Sequence, residues 1–386
     1  MIRRPAEVVL LICWGVCIQV FADNTGMSPA YADRFAVQLE QRLTLGPLPM
    51  TDVPLDIAVL RKFYHSRNYR PVWDAPTGQH TLMQRWLSVM DHIEHEGLDD
   101  LALHGEQIRR QTVTEDSADP VTLELLLTDS FFRYTNILAR GQLDPLQLSP
   151  GWLIPTTQVD PAAILEQARH DGGFEAVLRN LRGDEYIRLS NQLKRYSRIR
   201  DTGGWPSMDA VGQQLEEGLQ HPEISMLDKL LRITGDLRDD RGPAEHRYDE
   251  VLQKAVRRFQ RRHGLRVDGI VGTRTRAQLA IPVEDRIDQI RANLERLRWL
   301  PEDLGERYIL VNTAAYELEV HETGSVSLRM KVVVGTKERQ TPVFAGRLSH
   351  LVVNPYWNIP RKIALEDVIP QQLEDSGYLR HKGIRV

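Results

Sequence analysis

Apolar positions recur at helical spacing through the first three hundred residues and at strand spacing after that. Leu55, Val59, Leu60 and Phe63 share one helical face, and Pro71 predicts that this helix gives way to a short extended piece ending at Trp73. Leu82, Trp86, Val89, Met90 and Ile93 stripe the next predicted helix, with Gly97 as its stop. Residues 123–138 predict a third striped helix ending near Gly141, followed by a Pro- and Gly-rich loop over 144–155. Weaker periodicity predicts helices over 162–181, 185–196 and 208–219.

Residues 223–283 carry sharper signals. Leu227, Leu230 and Leu231 open a helix that stops near Gly235, and Leu252, Ala255, Val256 and Phe259 follow the spacing of a buried helix face. Gly264 stands where a left-handed cap is needed, Asp268-Gly269 forms a turn, and Thr273 is placed to cap a last helix ending near Leu279. A further helix from Val283 to about Trp299 turns Ile287, Ile290, Leu294 and Leu297 to one side and is expected to link this unit to the C-terminal region. The period then changes. Residues 308–312 and 317–321 read as strands, Thr323-Gly324 as a turn, and the alternation of Val326, Leu328, Met330, Val332 and Val334 as a strand with one buried face. A fourth strand is expected over 348–353. The fold class is therefore multidomain α+β: a helical scaffold over 23–222, a three-helix unit over 223–283, a linker helix within 284–306, and the opening of a β-sheet domain over 307–386.

The N-terminus changes the picture by placing the protein outside the cytoplasm. Arg3 and Arg4 precede an apolar run from Val8 to Val20, and Val20-Phe21-Ala22 has the form of a signal-peptidase site, so the expected mature chain starts at Asp23. The run falls short of the roughly 20 residues that span a bilayer, so no stable membrane anchor is expected after cleavage. Cys13 and Cys17 are the only cysteines, and cleavage leaves a chain without disulfides, thiolate metal sites or thiol nucleophiles. A formal net charge of −4 argues against a general nucleic-acid binder.

Candidate chemistry is sparse. Lys254, Arg257, Arg258, Arg261 and Arg262 form a basic run on the face opposite the apolar stripe, able either to meet carboxylates of a ligand or to serve as a solvated face. Asn354, Tyr356 and Trp357 either line a substrate groove or pack a strand-to-helix junction. His92, His95 and Glu96 invite a metal reading, but no His-Glu-x-x-His motif or third ligand supports one, and no metal or cofactor is expected. Asp99-Asp100 and Asp239-Asp240 are paired carboxylates adjacent in sequence; such neighbours do not face each other on a helix or strand, glycosidase chemistry needs two across a cleft, and a muramidase role stays open without positive support.

Two resemblances arise from these residues. The run Leu252-Gln-Lys-Ala-Val-Arg-Arg-Phe-Gln-Arg-Arg-His-Gly-Leu265, then Val267-Asp-Gly-Ile-Val-Gly272, resembles the small three-helix peptidoglycan-binding domain. Glu295-Arg-Leu-Arg-Trp-Leu300, Val332-Val-Val-Gly335, Gln340-Thr-Pro-Val-Phe344, His350-Leu-Val-Val-Asn-Pro-Tyr-Trp-Asn-Ile-Pro360 and Lys362-Ile-Ala-Leu-Glu-Asp-Val-Ile-Pro370 resemble large multidomain Gram-negative L,D-transpeptidases. Tyr69-Arg-Pro-Val-Trp73, Glu96-Gly-Leu-Asp99 and Gly141-Gln-Leu-Asp-Pro145 extend the likeness to the helical half, with Gln142 where the family more often has a basic residue. The resemblance implies a periplasmic enzyme whose partners are peptidoglycan stem peptides and glycan. In such enzymes a histidine-activated cysteine forms an acyl-enzyme with one stem and passes it to the amine of another. No position of this chain matches the family's histidine or its Ser/Thr-x-Gly-Cys-x-Arg segment, both expected downstream of Val386, so the β-sheet domain is expected to be incomplete as given and no catalytic residue is carried over.

Two expectations stand side by side: an L,D-transpeptidase without its catalytic end, and a non-catalytic wall-binding protein. The reading frame beyond the Val386 codon separates them. A zinc amidase or carboxypeptidase bearing the same binding unit is a third expectation, opposed by the strand pattern after Arg307.

Overall fold

The computed structural model describes residues 29–385 apart from 47–50, 74–81, 114–118, 150, 172, 239–245, 302–303 and 337. The expected signal segment 1–22 and the Asp239-Asp240 pair lie outside the described residues. The chain divides into two units, one up to Val343 and one from Phe344.

The helical half is built around α5 (Pro120–Arg140), whose residues are buried on nearly every side. Asp119 caps it by accepting from the Val121 and Thr122 amides, Pro120 sits in its first turn, and Gly141 ends it. Around it lie α1 (Pro29–Thr44), α2 (Ile57–Ser66), α3 (Leu82–Met90), α4 (Gly105–Val113), α7 (Pro161–His170) and α8 (Glu175–Asp201). The polar groups buried on α5 are met by partners from these neighbours. Glu124 accepts from Tyr64 Oη at 2.9 Å and the Val72 amide at 2.6 Å; Trp73 Nε1 donates to Thr128 Oγ1 at 2.9 Å, and Trp86 Nε1 to Ser130 Oγ at 2.8 Å. Asp129 binds His104 Nε2 at 2.7 Å and the Asp56 amide at 3.0 Å. The extended piece predicted at 71–73 is present, and the central helix holds it by its backbone and its indole.

Several expectations are corrected. The 144–155 loop contains one helical turn, α6 (Pro145–Leu148), nucleated by the Asp144 cap and Pro145. The helix expected over 162–181 breaks after His170, where the Gly173 amide closes on Ala168 O and Phe174 turns into the core. The helix expected over 185–196 is part of α8, which kinks at Gly183 (φ 56°, ψ 162°). Residues 208–219 form no helix. The buried Arg276 guanidinium takes the Gln213 and Asp209 carbonyls, and Leu215 pairs with Val271, so tertiary hydrogen bonds replace the helical ones.

The small unit contains α9 (Glu223–Thr234), α10 (Glu250–Arg262) and α11 (Thr273–Leu279) around Leu227, Leu231, Tyr248, Leu252, Val256, Phe259 and Leu279. Met208 and Leu215 join this core from before α9. Gly235 takes the left-handed cap of α9. The cap of α11 is Gly272; Thr273 is the first helical residue and makes no side-chain cap, because the Leu215–Val271 bridge keeps the chain extended through Gly272 and the helix starts one residue later than the cap position expected. Helix α12 (Val283–Arg298) lies along α8 and adds Val283, Ile287 and Leu294 to the core of the helical half.

Strands β1 (Arg307–Asn312), β2 (Glu317–Glu322) and β3 (Ser325–Lys331) form an antiparallel meander. The two-residue Thr323-Gly324 turn has φ of 47° and 79°, the left-handed pair that suits a tight hairpin. The register puts Ile309, Val311, Leu318, Val320, Leu328 and Met330 on one face. The face expected to be buried is not: β3 is exposed throughout, and Val332 and Val334 lie beyond its end at Lys331. Three strands make a single layer, and an apolar face is buried only against a second layer. The fourth strand expected over 348–353 is also absent. That stretch has no ladder partner among the described residues, and without one a strand does not form.

From Phe344 onward the second unit is irregular to Pro360, then turns helical through α13 (Arg361–Ile363), a π-turn over Ala364–Val368 and α14 (Ile369–Glu374), and closes with α15 (Tyr378–His381). Pro370 lacks the amide that a regular turn requires, and the widened turn before it accommodates the loss.

Glu124 yields a pH prediction. Burial pushes its carboxyl up to about 7, against the hydrogen bonds from Val72 and Tyr64 that favour the charged form. Its folded pKa lies above its unfolded value, so its contribution is complete below about pH 4.5 and is lost as pH rises towards 7, on the order of 3 kcal/mol. Urea unfolding at pH 4.5 and 7.5 should show this loss in the native chain and not in Glu124→Gln; equal slopes in both would remove Glu124 as the cause.

Candidate functional site

Asn354, Tyr356 and Trp357 sit in the irregular part of the second unit. Tyr356 is 88% and Trp357 69% exposed, so packing of a strand-to-helix junction does not account for either ring. Asn354 has φ of 52°, the left-handed conformation that asparagine tolerates better than most residues. The structure gathers these three on one exposed stretch.

The basic run of α10 divides. Arg258 Nε donates to Asp236 O at 2.6 Å, and Arg262 pairs with the Asp236 carboxylate at 2.6 Å, reaches Tyr196 Oη of α8 at 3.1 Å and lies over the Phe259 ring. These two fasten the small unit internally and to the helical half. Beside them His263 is held neutral: burial, then the Arg262 and Arg286 charges, lower its pKa to about 3. Lys254, Arg257 and Arg261 are exposed, with Lys254 paired to Glu250 and Arg257 only loosely bonded to Asp268 O. Exposed cations of this kind are free to exchange water for an anionic ligand.

Glu96 is buried and receives Tyr134 Oη at 2.9 Å, Tyr186 Oη at 3.1 Å and the Arg182 guanidinium. These partners occupy its carboxylate as a structural acceptor. Asp99 caps a short 3₁₀ turn and Asp100 pairs with Arg109, which gives both a local role.

A second constellation was not assigned a role by sequence reasoning. At the end of α12, Glu295 Oε1 accepts the Gln142 and Leu143 amides at 2.7 and 2.8 Å and Trp299 Nε1 at 3.2 Å, while Oε2 binds Arg298 at 2.8 Å. Arg298 in turn donates to the Glu96 carbonyl and to Tyr186 Oη at 2.8 Å. Trp299 packs edge-on against Trp152, whose neighbours bind the segment at Val343: Leu153 N donates to Val343 O at 2.7 Å and Val343 N to Gly151 O at 2.9 Å. The segments around Glu96, Gly141, Glu295 and Val343, far apart in sequence, are thus joined through one set of contacts. A signal for it was present: an acid and a base three apart beside the apolar stripe of one helix, where both can turn inward.

Comparison with known proteins agrees with this layout. Residues 58–193 match the "Scaffold domain" family, residues 220–279 the "Putative peptidoglycan binding domain" family, and residues 306–386 the "L,D-transpeptidase catalytic domain" family. A protein of Haemophilus influenzae described as "Putative L,D-transpeptidase" is 38% identical over 97 residues, which is 25% of this chain and 19% of that protein's length.

Gly141 tests the contacts of Glu295. Its φ of 80° and ψ of 174° belong to a region that is essentially glycine's alone, and a Cβ there would stand 2.5 Å from Glu295 Oε1 and closer still to Trp299 Nε1. Gly141→Ala should therefore lower stability by about 1–3 kcal/mol from backbone strain, with a further loss from the clash, measured by denaturant unfolding. A neutral result would show that the loop relaxes away from Glu295.

Proposed function

Because residues 306–386 match the L,D-transpeptidase catalytic domain family, we propose that the protein serves in forming crosslinks between peptidoglycan stem peptides, as an exported protein working in the periplasm. The match of residues 306–386 to the catalytic domain carries this reading, and the binding-domain match supports it by giving the chain a means of staying on its substrate. The reaction is acyl transfer. A cysteine thiolate attacks a tetrapeptide stem beside its third residue, the terminal residue leaves with its amine, and the amine of a second stem then displaces the thiolate. Backbone amides stabilise the oxyanion of each tetrahedral intermediate.

In this reading residues 23–222 are scaffold, 223–283 bind the wall, 284–306 connect, and 307–386 belong to the catalytic domain. Asn354, Tyr356 and Trp357 meet the stem, because exposed rings beside a turned asparagine offer both stacking surface and polar contact. Among the described residues no helix is long and apolar enough to cross a membrane. Arg257 and Arg261 face stem carboxylates, and Arg258 and Arg262 hold α10 in place for them. Two exposed contacts of this kind sum to about 1–2 kcal/mol, on the order of tenfold in affinity. The pair Arg257→Glu and Arg261→Glu should accordingly reduce pelleting with purified sacculi about tenfold at low salt without changing the melting temperature. Unchanged pelleting would make the run a solvated face.

A second reading, a non-catalytic wall-binding protein, rests on the match of residues 220–279 to the peptidoglycan binding domain family. A polypeptide of residues 23–386, which contain no cysteine, should form no thioester and yield no crosslinked dimers when incubated with tetrapeptide muropeptides and followed by mass spectrometry. Dimers formed by it alone would place the chemistry on another nucleophile. A frame extending past the Val386 codon into a Gly-Cys-x-Arg segment would favour the enzyme, and an immediate stop the binding protein.

A further inference from the structure

We propose that Glu295 is a positioning residue that holds a scaffold loop as a strand partner for the catalytic-domain segment at Val343. The observations form one chain of contacts. Glu295 uses its two carboxylate oxygens differently: Oε1 gathers the Gln142 and Leu143 amides and the Trp299 indole, and Oε2 takes Arg298. The first oxygen therefore sets where the polypeptide goes after Gly141, and the second anchors the carboxylate to a guanidinium that also grips the Glu96 carbonyl.

From Leu143 the loop has little freedom before it reaches Val343. Asp144 caps α6, the Ser149 amide closes on Pro145 O, and the Trp152 amide bonds Ser149 O. Trp152, Ile154 and Trp299 then form a small buried cluster with Val343 packed against it. Trp299 belongs to both ends of this path, bonded to Glu295 and stacked edge-on with Trp152 at 5.4 Å between ring centres. The outcome is a parallel bridge between Trp152 and Val343, closed by two backbone hydrogen bonds. Backbone pairing of this kind specifies position without regard to side-chain identity, so it suits a scaffold that must place a separate segment. Val343 lies within the matched catalytic domain and Trp152 within the helical half, so the bridge is made between the two.

The proposal rests on the transpeptidase reading only for what Val343 leads into. Amide hydrogen exchange on the full chain tests it. The native protein should show slowed exchange at Gln142, Leu143, Leu153 and Val343, whose amides are all bonded. Glu295→Ala should speed all four by about tenfold or more, while Ala255 and Val256 in α10 stay slow. Glu295→Gln retains an acceptor for the loop and should keep all four slow, even though Arg298 loses its charge partner. If Glu295→Ala also frees Ala255 and Val256, Glu295→Asp decides, because it keeps the charge beside Arg298 but withdraws from the loop. In either variant, a Val343 amide that stays slow after Gln142 and Leu143 have quickened overturns the proposal. Stem-peptide binding plays no part in this readout. Failure of the transpeptidase reading leaves it standing, and its own failure leaves that reading intact.

Discussion

A buried carboxylate facing a buried guanidinium is the constraint on which the arrangement of this protein depends. Taking Glu295 and Arg298 out of water costs several kcal/mol for each charge, and their mutual attraction offsets that only when further hydrogen bonds are supplied. Here the further bonds come from backbone: the Gln142 and Leu143 amides on one side, the Glu96 carbonyl on the other. Each such bond fixes a loop. The requirement to satisfy two charges on one turn of α12 therefore decides where two distant loops of the chain lie. Glycine at 141 follows from the same requirement, since a side chain there would occupy the space of the carboxylate and the indole.

Arginine repeats this role elsewhere. Arg276 is almost fully buried, spends its donors on the Gln213 and Asp209 carbonyls and the Glu223 carboxylate, and so holds residues 209–213 against the small unit. Arg262 joins Asp236 to Tyr196 across the junction between the small unit and α8. A guanidinium is a planar fork with five donors, able to collect several carbonyls at once, and these three arginines act as fasteners rather than as a charged surface. The exposed cations left on α10 are then the ones free to meet anions.

The sheet shows the opposite condition. Its six aligned apolar side chains form a face that no described residue covers, and Leu328 and Met330 remain nearly half exposed. Hairpin geometry and cross-strand pairing suffice to form the meander, but they do not bury it. Packing is therefore concentrated in the helical half and the small unit, while the residues proposed to meet the stem peptide lie on an exposed stretch.

Periodicity by itself determined the helices whose apolar stripes are strong, such as α3, α5 and α10, and the first three strands with their turn, because burial of one face leaves a direct trace at 3.6- or 2-residue spacing. The motifs likewise carried the resemblance to the peptidoglycan-binding and L,D-transpeptidase families that residues 220–279 and 306–386 match. Tertiary structure alone decided three other things. Residues 208–219 form no helix because Arg276, more than fifty residues away, takes the Asp209 and Gln213 carbonyls. Residues 348–353 are not a strand, because a strand exists only through a ladder partner that local pattern cannot supply. Glu295 and Arg298 read locally as an ordinary pair one helical turn apart. Their role arises from the amides and carbonyls that folding brings to them from residues 96, 142 and 143, and backbone groups leave no mark in a sequence.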